Sequence, residues 1–350
     1  MAWGAQDALG TRLTSGVAVG QVPADPPQSI MWHTGSHPLP DHNSEAAGRA
    51  IVDYLESTDV EFVLFLISGG GSAIVEIPPE GVDIDELASL QQALLHSSTP
   101  IEELNLVRRS LSLLKNGHLL DHVRVPHVSL LISDVGAAGP EVIASGPTLG
   151  VPISASAVRA VLEGAGVQLR EALTAHLATI AFAEPNEAFE IVADGWSAVR
   201  AAADVLRETG EDITIAPRQF AGEARRVASA LVRGAGSGFT LAPGEATVTV
   251  TGGGRGGRNT EAALAVAIQF DGFEDVAFAA LSTDGVDGSS DAAGAIVDGE
   301  SAQRIRGASI SPEAALMNND SHHALYASGD LVHTGPTGTN VADLWMVWRG

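Results

Sequence analysis

Four glycine-rich segments follow short apolar runs, and each carries side chains able to bind or transfer charge. Residues 68–73 read SGGGSA. Consecutive glycines let backbone N–H groups approach an anion, so Ser68, Gly69, Gly70, Gly71 and Ser72 are candidate phosphate ligands, with a plain turn as the alternative. Residues 133–148 read SDVGAAGPEVIASGPT. Asp134 stands where a strand finishes, a place to hold a metal, accept a proton or cap a helix. Residues 251–261 read TGGGRGGRNTE, and Gly252, Gly254 and Gly257 meet the GxGxxG spacing of a dinucleotide fold. That signal is weak, because any glycine-rich loop produces it; Arg255 and Arg258 better suit direct binding of phosphate or carboxylate. Residues 282–294 read STDGVDGSSDAAG and gather Asp284, Asp287 and Asp291. Such carboxylates serve as Mg²⁺ ligands or as solvated turn residues, and their spacing is not that of an EF-hand.

Of the 19 cations, 18 are Arg and one is Lys115. A lone lysine in an arginine-only chain is an active-site candidate, since the two side chains are not interchangeable as point charges. Helical periodicity over residues 101–115 would put Arg108, Ser112 and Lys115 on one face. No HExxH, Walker loop or GxSxG elbow occurs, and adjacent His322 and His323 would point apart in regular structure.

The remaining composition excludes several classes of function. Against those 19 cations stand 43 acids in 350 residues, for a net charge of −24. So negative a field disfavours nucleic acid and anionic membrane surfaces as partners. The absence of cysteine removes disulfides, thiolate metal sites and a cysteine nucleophile. No apolar run spans a membrane and no signal peptide opens the chain, so the expected location is cytoplasmic. Acid excess with scarce lysine points to a halophilic, high-salt interior.

The elements that must hold these loops follow an α/β rhythm with mostly parallel sheets. Strands are expected over residues 60–68, 125–134, 189–192, 213–216, 246–251 and 276–282. Helices are expected over 84–96, 101–115, 156–182 and 197–208, the second capped by Ser98 or Thr99 with Pro100 at its first position. The length suits two domains, with residues 183–187 (AEPNE) as the linker.

Taken in order, GSHPLPD, SGGGSA, VRRSLSLLKNG, SDV with IASGPT, GRGGRNTE, TDGVDG and TGPTGTNVADL resemble the MOFRL-type (class II) glycerate 2-kinases over nearly the whole chain. The resemblance implies two α/β domains with the active site in the cleft between them. Residues 1–185 would form a Rossmann-like N-terminal domain on a mostly parallel sheet, and residues 186–350 a MOFRL-like α/β domain. It implies transfer of the ATP γ-phosphoryl group to the 2-hydroxyl of D-glycerate with Mg²⁺.

By that resemblance the Ser68–Ser72 backbone would sit near nucleotide phosphates, and Arg255 or Arg258 would neutralise charge on the transferring group. Lys115, matching the second lysine of the family's RKHLSxIKGG-like segment, would bind phosphate or the glycerate carboxylate. Asp134 and Asp284 would hold Mg²⁺ or accept the hydroxyl proton, with Asp287 a further metal ligand. In that segment the chain departs from the family at Arg109 and Asn116, which replace a lysine and a glycine. It also starts about where the family's glycine-lysine loop would have passed, so an N-terminally shortened and less active or inactive homologue is a further expectation. A second enzymatic reading, NAD(P)H-dependent hydroxypyruvate reduction, rests on the GxGxxG spacing.

Overall fold

The computed structural model describes residues 1–21, 25–97, 99–136, 138–180 and 186–350. It divides into one unit of Met1–Ile132 with Ala138–Val192, and another of Ser133–Ala137 with Ala193–Gly350.

The first unit runs α1 (Ala2–Leu9), β1 (Gly16–Gly20), β2 (Ile30–Thr34), α2 (His42–Ser57), β3 (Val63–Ile67) and the single turn α3 (Gly71–Ile74). It continues with α4 (Ile84–His96), α5 (Ile101–Ser110), β4 (His127–Ile132), α6 (Ala155–Gly164), α7 (Glu171–Thr179) and β5 (Phe189–Ala193). β1 pairs with β2 in parallel, and β3, β4 and β5 form a second sheet in which β3 and β4 are parallel. The leucines at helical spacing in α4 (Leu87, Leu90 and Leu94) pack with Leu104 and Val107 of α5, Val158 and Leu162 of α6, and Leu173 and Leu177 of α7.

Two expected helices in this unit differ. α5 stops at Ser110 because the Ser112 hydroxyl accepts the N–H groups of Leu114 and Lys115 at 3.2 and 3.3 Å, while Leu113 N–H donates to the Ile77 carbonyl at 2.9 Å. Local serine bonding and a neighbouring carbonyl thus take the donors that would have continued the helix. Lys115 therefore lies in a turn and shares no helix face with Arg108. At the other end Pro100 is the N-cap and Thr99 bonds Ser97, with Ser98 outside the described residues. The expected helix over 156–182 breaks at Gly166, whose φ of +72° is left-handed. Residues 183–185 of the expected linker lie outside the described residues.

The second unit runs α8 (Gly195–Leu206), β6 (Ile213–Ile215), β7 (Phe220–Glu223), α9 (Ala224–Gly234), β8 (Gly238–Thr247), α10 (Arg258–Phe270) and β9 (Val276–Ser282). β10 (Gly294–Asp298), α11 (Ser301–Gly307), α12 (Pro312–Met317), α13 (Ser321–Ser328), β11 (Leu331–Val332) and β12 (Asp343–Arg349) follow. The sheet order is β11-β10-β9-β12-β8-β6, with β7 also on β8. β12 returns from the C-terminus and inserts antiparallel between β8 and β9, so this sheet is mixed where a mostly parallel one was expected. Of the strand expected over 246–251 only Ala246 and Thr247 are in a strand, the end of β8, which begins at Gly238; residues 248–251 lie beyond it. Pro243 and Gly244 within it disguise the strand, since proline gives no ladder donor.

Alanines dominate where α10 meets its neighbours, including Ala262, Ala263 and Ala267 with Ala242, Ala280 and Ala295 of the sheet. Small side chains let helix and sheet backbones approach closely, and Trp345 fills the interior edge-on to Phe278, with ring centroids 6.0 Å apart.

Candidate active site

Within the first unit, SGGGSA, LLKNG and IASGPT come together. Gly70 adopts φ +84° beyond β3, and a Cβ on Gly71 would stand 2.5 Å from that of Ala144. The Ser72 and Ser145 hydroxyls bond at 2.8 Å, and the carbonyls of Ser145 and Gly146 accept the N–H groups of Asn116 and Gly117 at 3.2 and 2.7 Å. Among the described residues, the N–H groups of Gly69, Gly70, Gly71 and Ser72 have no acceptor. They are available to an anion.

Lys115 sits behind this loop, 1% exposed, with its Nζ donating to Glu76, itself 0% exposed. Burial pushes the Glu76 carboxyl up and the Lys115 ammonium down, and their attraction offsets this only in part. Glu76 was not legible as a partner, although a single acid inside the apolar run AIVEIPP is the available signal. The structure thus gives Lys115 an interior ion pair, where a contact with phosphate or glycerate was expected.

In the second unit, the loop before α10 has the opposite character to SGGGSA. Thr251 and Gly252 N–H groups donate to Asn319 Oδ1 at 2.8 and 2.9 Å, and Gly253 to Asn318 Oδ1 at 3.2 Å. Gly254 donates to the Asn318 carbonyl at 2.9 Å and Arg255 to Asp320 Oδ1 at 3.1 Å. Gly256 donates to Ser289 Oγ at 3.1 Å and Gly257 to Thr260 Oγ1 at 2.8 Å. Every donor a dinucleotide phosphate would need is taken. The glycines serve contact instead, since a Cβ on Gly252 would fall 2.2 Å from the Asn318 carbonyl oxygen and one on Gly254 2.4 Å from Asp320 Cβ. The dinucleotide reading of GxGxxG is therefore corrected.

The N-terminus of α10 is likewise occupied. Asp287 Oδ1 accepts the Asn259 N–H at 2.9 Å, and Oδ2 accepts the Thr260 N–H and hydroxyl at 2.7 and 2.8 Å. This 1%-exposed carboxylate caps the helix. Arg258, the first residue of α10, meets Asp343 of β12 at two points, Nε to Oδ2 at 2.7 Å and Nη2 to Oδ1 at 3.0 Å. The partners respond differently. Asp343's charge raises the Arg258 pKa, whereas burial lifts the fully enclosed Asp343 carboxyl to about 6 despite the arginine. The burial cost falls on the carboxylate because the arginine side chain is 33% exposed.

Among the described residues Arg258 is the only cation lining an open cleft of about 530 Å³, whose other lining residues include Val248, Val250, Val286, Ser282 and Asp284. Burial pushes the Asp134 carboxyl up, Arg258 opposes that rise and Asp284 adds to it. Glu245 of β8 is also raised by burial and feels both Arg258 and Asp134. Glu245, Asp343 and Asn259 were missed as site residues; an acid beside or inside an apolar strand is the signal that could have found the first two. Arg255 is drawn aside, its Nε donating to the Ser289 carbonyl at 2.9 Å and its Nη2 lying 3.1 Å from Asp291, which also takes His322 Nε2 at 2.8 Å. It therefore braces the loop.

Among the described residues no three His, Asp or Glu side chains form a ready metal site. Mg²⁺ needs only one or two carboxylates when phosphate oxygens complete its shell. Asp284, whose Oδ1 is fixed by the Ser282 hydroxyl and Val286 N–H at 2.7 and 2.9 Å, and the neighbouring Asp134 fit that requirement.

Residues 1–178 match the family described as a domain of unknown function (DUF4147), and residues 238–343 match the MOFRL family. A D-glycerate 2-kinase of Thermotoga maritima is 37% identical over 98% of this chain and 86% of its own length. A protein of Agrobacterium vitis named as a hydroxypyruvate reductase is 38% identical over 90% of this chain and 76% of its own. The crystal structure of a Thermotoga maritima glycerate kinase superposes with a TM-score of 0.90 at 34% identity, covering 100% of this chain and 88% of that one.

Proposed function

The chain belongs to the glycerate 2-kinase family that joins a DUF4147 domain to a MOFRL domain, and on that premise we propose that it transfers the ATP γ-phosphoryl group to the 2-hydroxyl of D-glycerate. The hydroxyl oxygen bonds to the γ-phosphorus, the bond to the β–γ bridging oxygen breaks, and ADP leaves beside 2-phosphoglycerate. The observation that carries this reading is Arg258, the single cation of its cleft among the described residues, held by a buried carboxylate. Phosphoryl transfer needs little from a protein beyond positioning and cationic stabilisation of the equatorial oxygens.

Asp134 is the proton acceptor in this scheme, a half-buried carboxyl that burial pushes up, near Arg258. The free N–H groups of Gly69, Gly70, Gly71 and Ser72 support a phosphate-binding role for Ser68–Ser72. Mg²⁺, when bound, would be held by Asp284, whose carboxylate is fixed by Ser282 and Val286, and would neutralise phosphate charge. Lys115 belongs to the scaffold behind the glycine loop, and Arg255 braces the loop before α10. The acid-rich composition supports a high-salt cytoplasm as the working environment, and among the described residues no helix is long and apolar enough to cross a membrane.

The test is ADP formation requiring both D-glycerate and Mg²⁺, with the product identified as the 2-phosphate by ³¹P NMR. Absence of ADP at both low and high KCl would overturn the reading. NADH oxidation by hydroxypyruvate is the parallel arm, and the occupied donors of residues 251–257 predict none.

A further inference from the structure

Arg258 is a third exposed at the edge of a cleft, and a guanidinium so placed has rotamers that point elsewhere. What holds it is unusually well fixed. Asp343 opens β12, with Gly244 of β8 on one side of its backbone and Ser282 of β9 on the other, so its position is set by two strands. Its carboxylate is fixed as well. Asn259 Nδ2 donates to Asp343 Oδ1 at 3.0 Å, and Asn259 Oδ1 accepts the buried Trp345 indole N–H at 2.7 Å, which leaves the side-chain amide one orientation. Arg258 Nη2 donates to Oδ1 at 3.0 Å, Nε lies 2.7 Å from Oδ2 as an ion-pair contact, and Nη1 has no acceptor among the described residues.

We propose that Asp343 is a positioning residue for phosphoryl transfer: it fixes the Arg258 guanidinium with Nη1 toward an anion in the cleft and acts on the reaction only through that arginine. The inference rests on the kinase reading above. A purely stabilising role explains the arrangement less well, because a buried ion pair is often replaceable by apolar residues without loss of stability. The elevated Asp343 carboxyl is the mark of that burial cost. Orientation of a charge that must meet the transferring group gives the costly carboxylate a function.

A double-mutant cycle tests this. Asp343→Asn keeps the shape but removes the ion pair, and kcat falls about 100-fold with both KM values within about 3-fold, as a displaced catalytic group requires. In an Arg258→Ala background the same change has no further effect on kcat. An equal loss in both backgrounds, or a loss confined to KM, overturns the proposal. If Asp343→Asn does not fold, Asn259→Ser removes one restraint on the carboxylate and lowers kcat up to about 10-fold, again only when Arg258 is present. Should the wild-type chain form no ADP from D-glycerate, the kinase reading fails, and positioning is read from ¹⁵N NMR instead. The Arg258 Nε–H signal, assigned by its loss in Arg258→Lys, is sharp in the wild type and broadened in Asp343→Asn; an unchanged signal overturns the inference.

Discussion

One oxygen of Asp287 accepts both the backbone N–H and the hydroxyl of Thr260, at 2.7 and 2.8 Å. A carboxylate so occupied has no lone pair left over for a cation on that oxygen, and its role is to start α10. Asp287→Ala should cost about 2 kcal/mol or more in urea unfolding, through a lost cap and stranded buried donors. The Mg²⁺ concentration giving half-maximal activity should not move. A raised Mg²⁺ requirement with unchanged stability would restore the metal-ligand assignment.

Arg258→Ala should lower turnover about 1000-fold, the scale seen when an arginine facing a transferring phosphoryl group is removed. Urea unfolding should shift far less, because the stranded Asp343 already holds its carboxyl near 6 and can take up a proton. Parallel loss of fold and turnover would make Arg258 structural.

Glu76 and Lys115 should show the signature of an interior ion pair. Removing either charge alone, by Glu76→Leu or Lys115→Met, should destabilise the chain by about 3–5 kcal/mol, whereas the double replacement recovers most of that loss. Additive losses in chemical denaturation would contradict the pairing.

Asp343 makes a signed contribution to the pH dependence of stability. Its carboxyl lies near 6 when folded and near 3.8 ordinarily, so between these values the folded chain binds the extra proton. Stability from this group therefore falls as pH rises from about 4 to 6, by about 3 kcal/mol, and the loss is complete above 6. Relative to wild type, Asp343→Asn should gain by that amount between pH 4 and 7 in urea melts. A difference that stays flat with pH would place the Asp343 carboxyl in the ordinary range.

A chain with a charge of −24 repels itself, and KCl shortens that repulsion from about 10 Å at 0.1 M to about 3 Å at 1 M. The melting temperature should rise across this range. A flat or falling curve would argue against a high-salt setting.

The elements read best where one period ran without competition. Helix Ile84–His96 and strand Val276–Ser282 have the bounds the apolar pattern implied. Reading failed where a side chain diverted the backbone, as Ser112 does beyond α5, or where a proline sat in a paired strand, as Pro243 does. The chemistry divided in a similar way. Arg258 and Asp134 were visible as charged residues in glycine-rich loops, yet Asp343, Asn259 and Glu76 became visible only through partners 84, 85 or 39 positions away. GxGxxG misled because spacing records where glycines stand and not whether their N–H groups are free.

A stretch of eleven residues with five glycines would ordinarily exchange its amide hydrogens with solvent quickly. Here seven consecutive amides, from Thr251 to Gly257, are pinned to Asn318, Asn319, Asp320, Ser289 and Thr260. Deuterium should therefore enter this loop as slowly as it enters the first turn of α10, and at one shared rate, so that the segment opens as a single cooperative block with the helix it precedes.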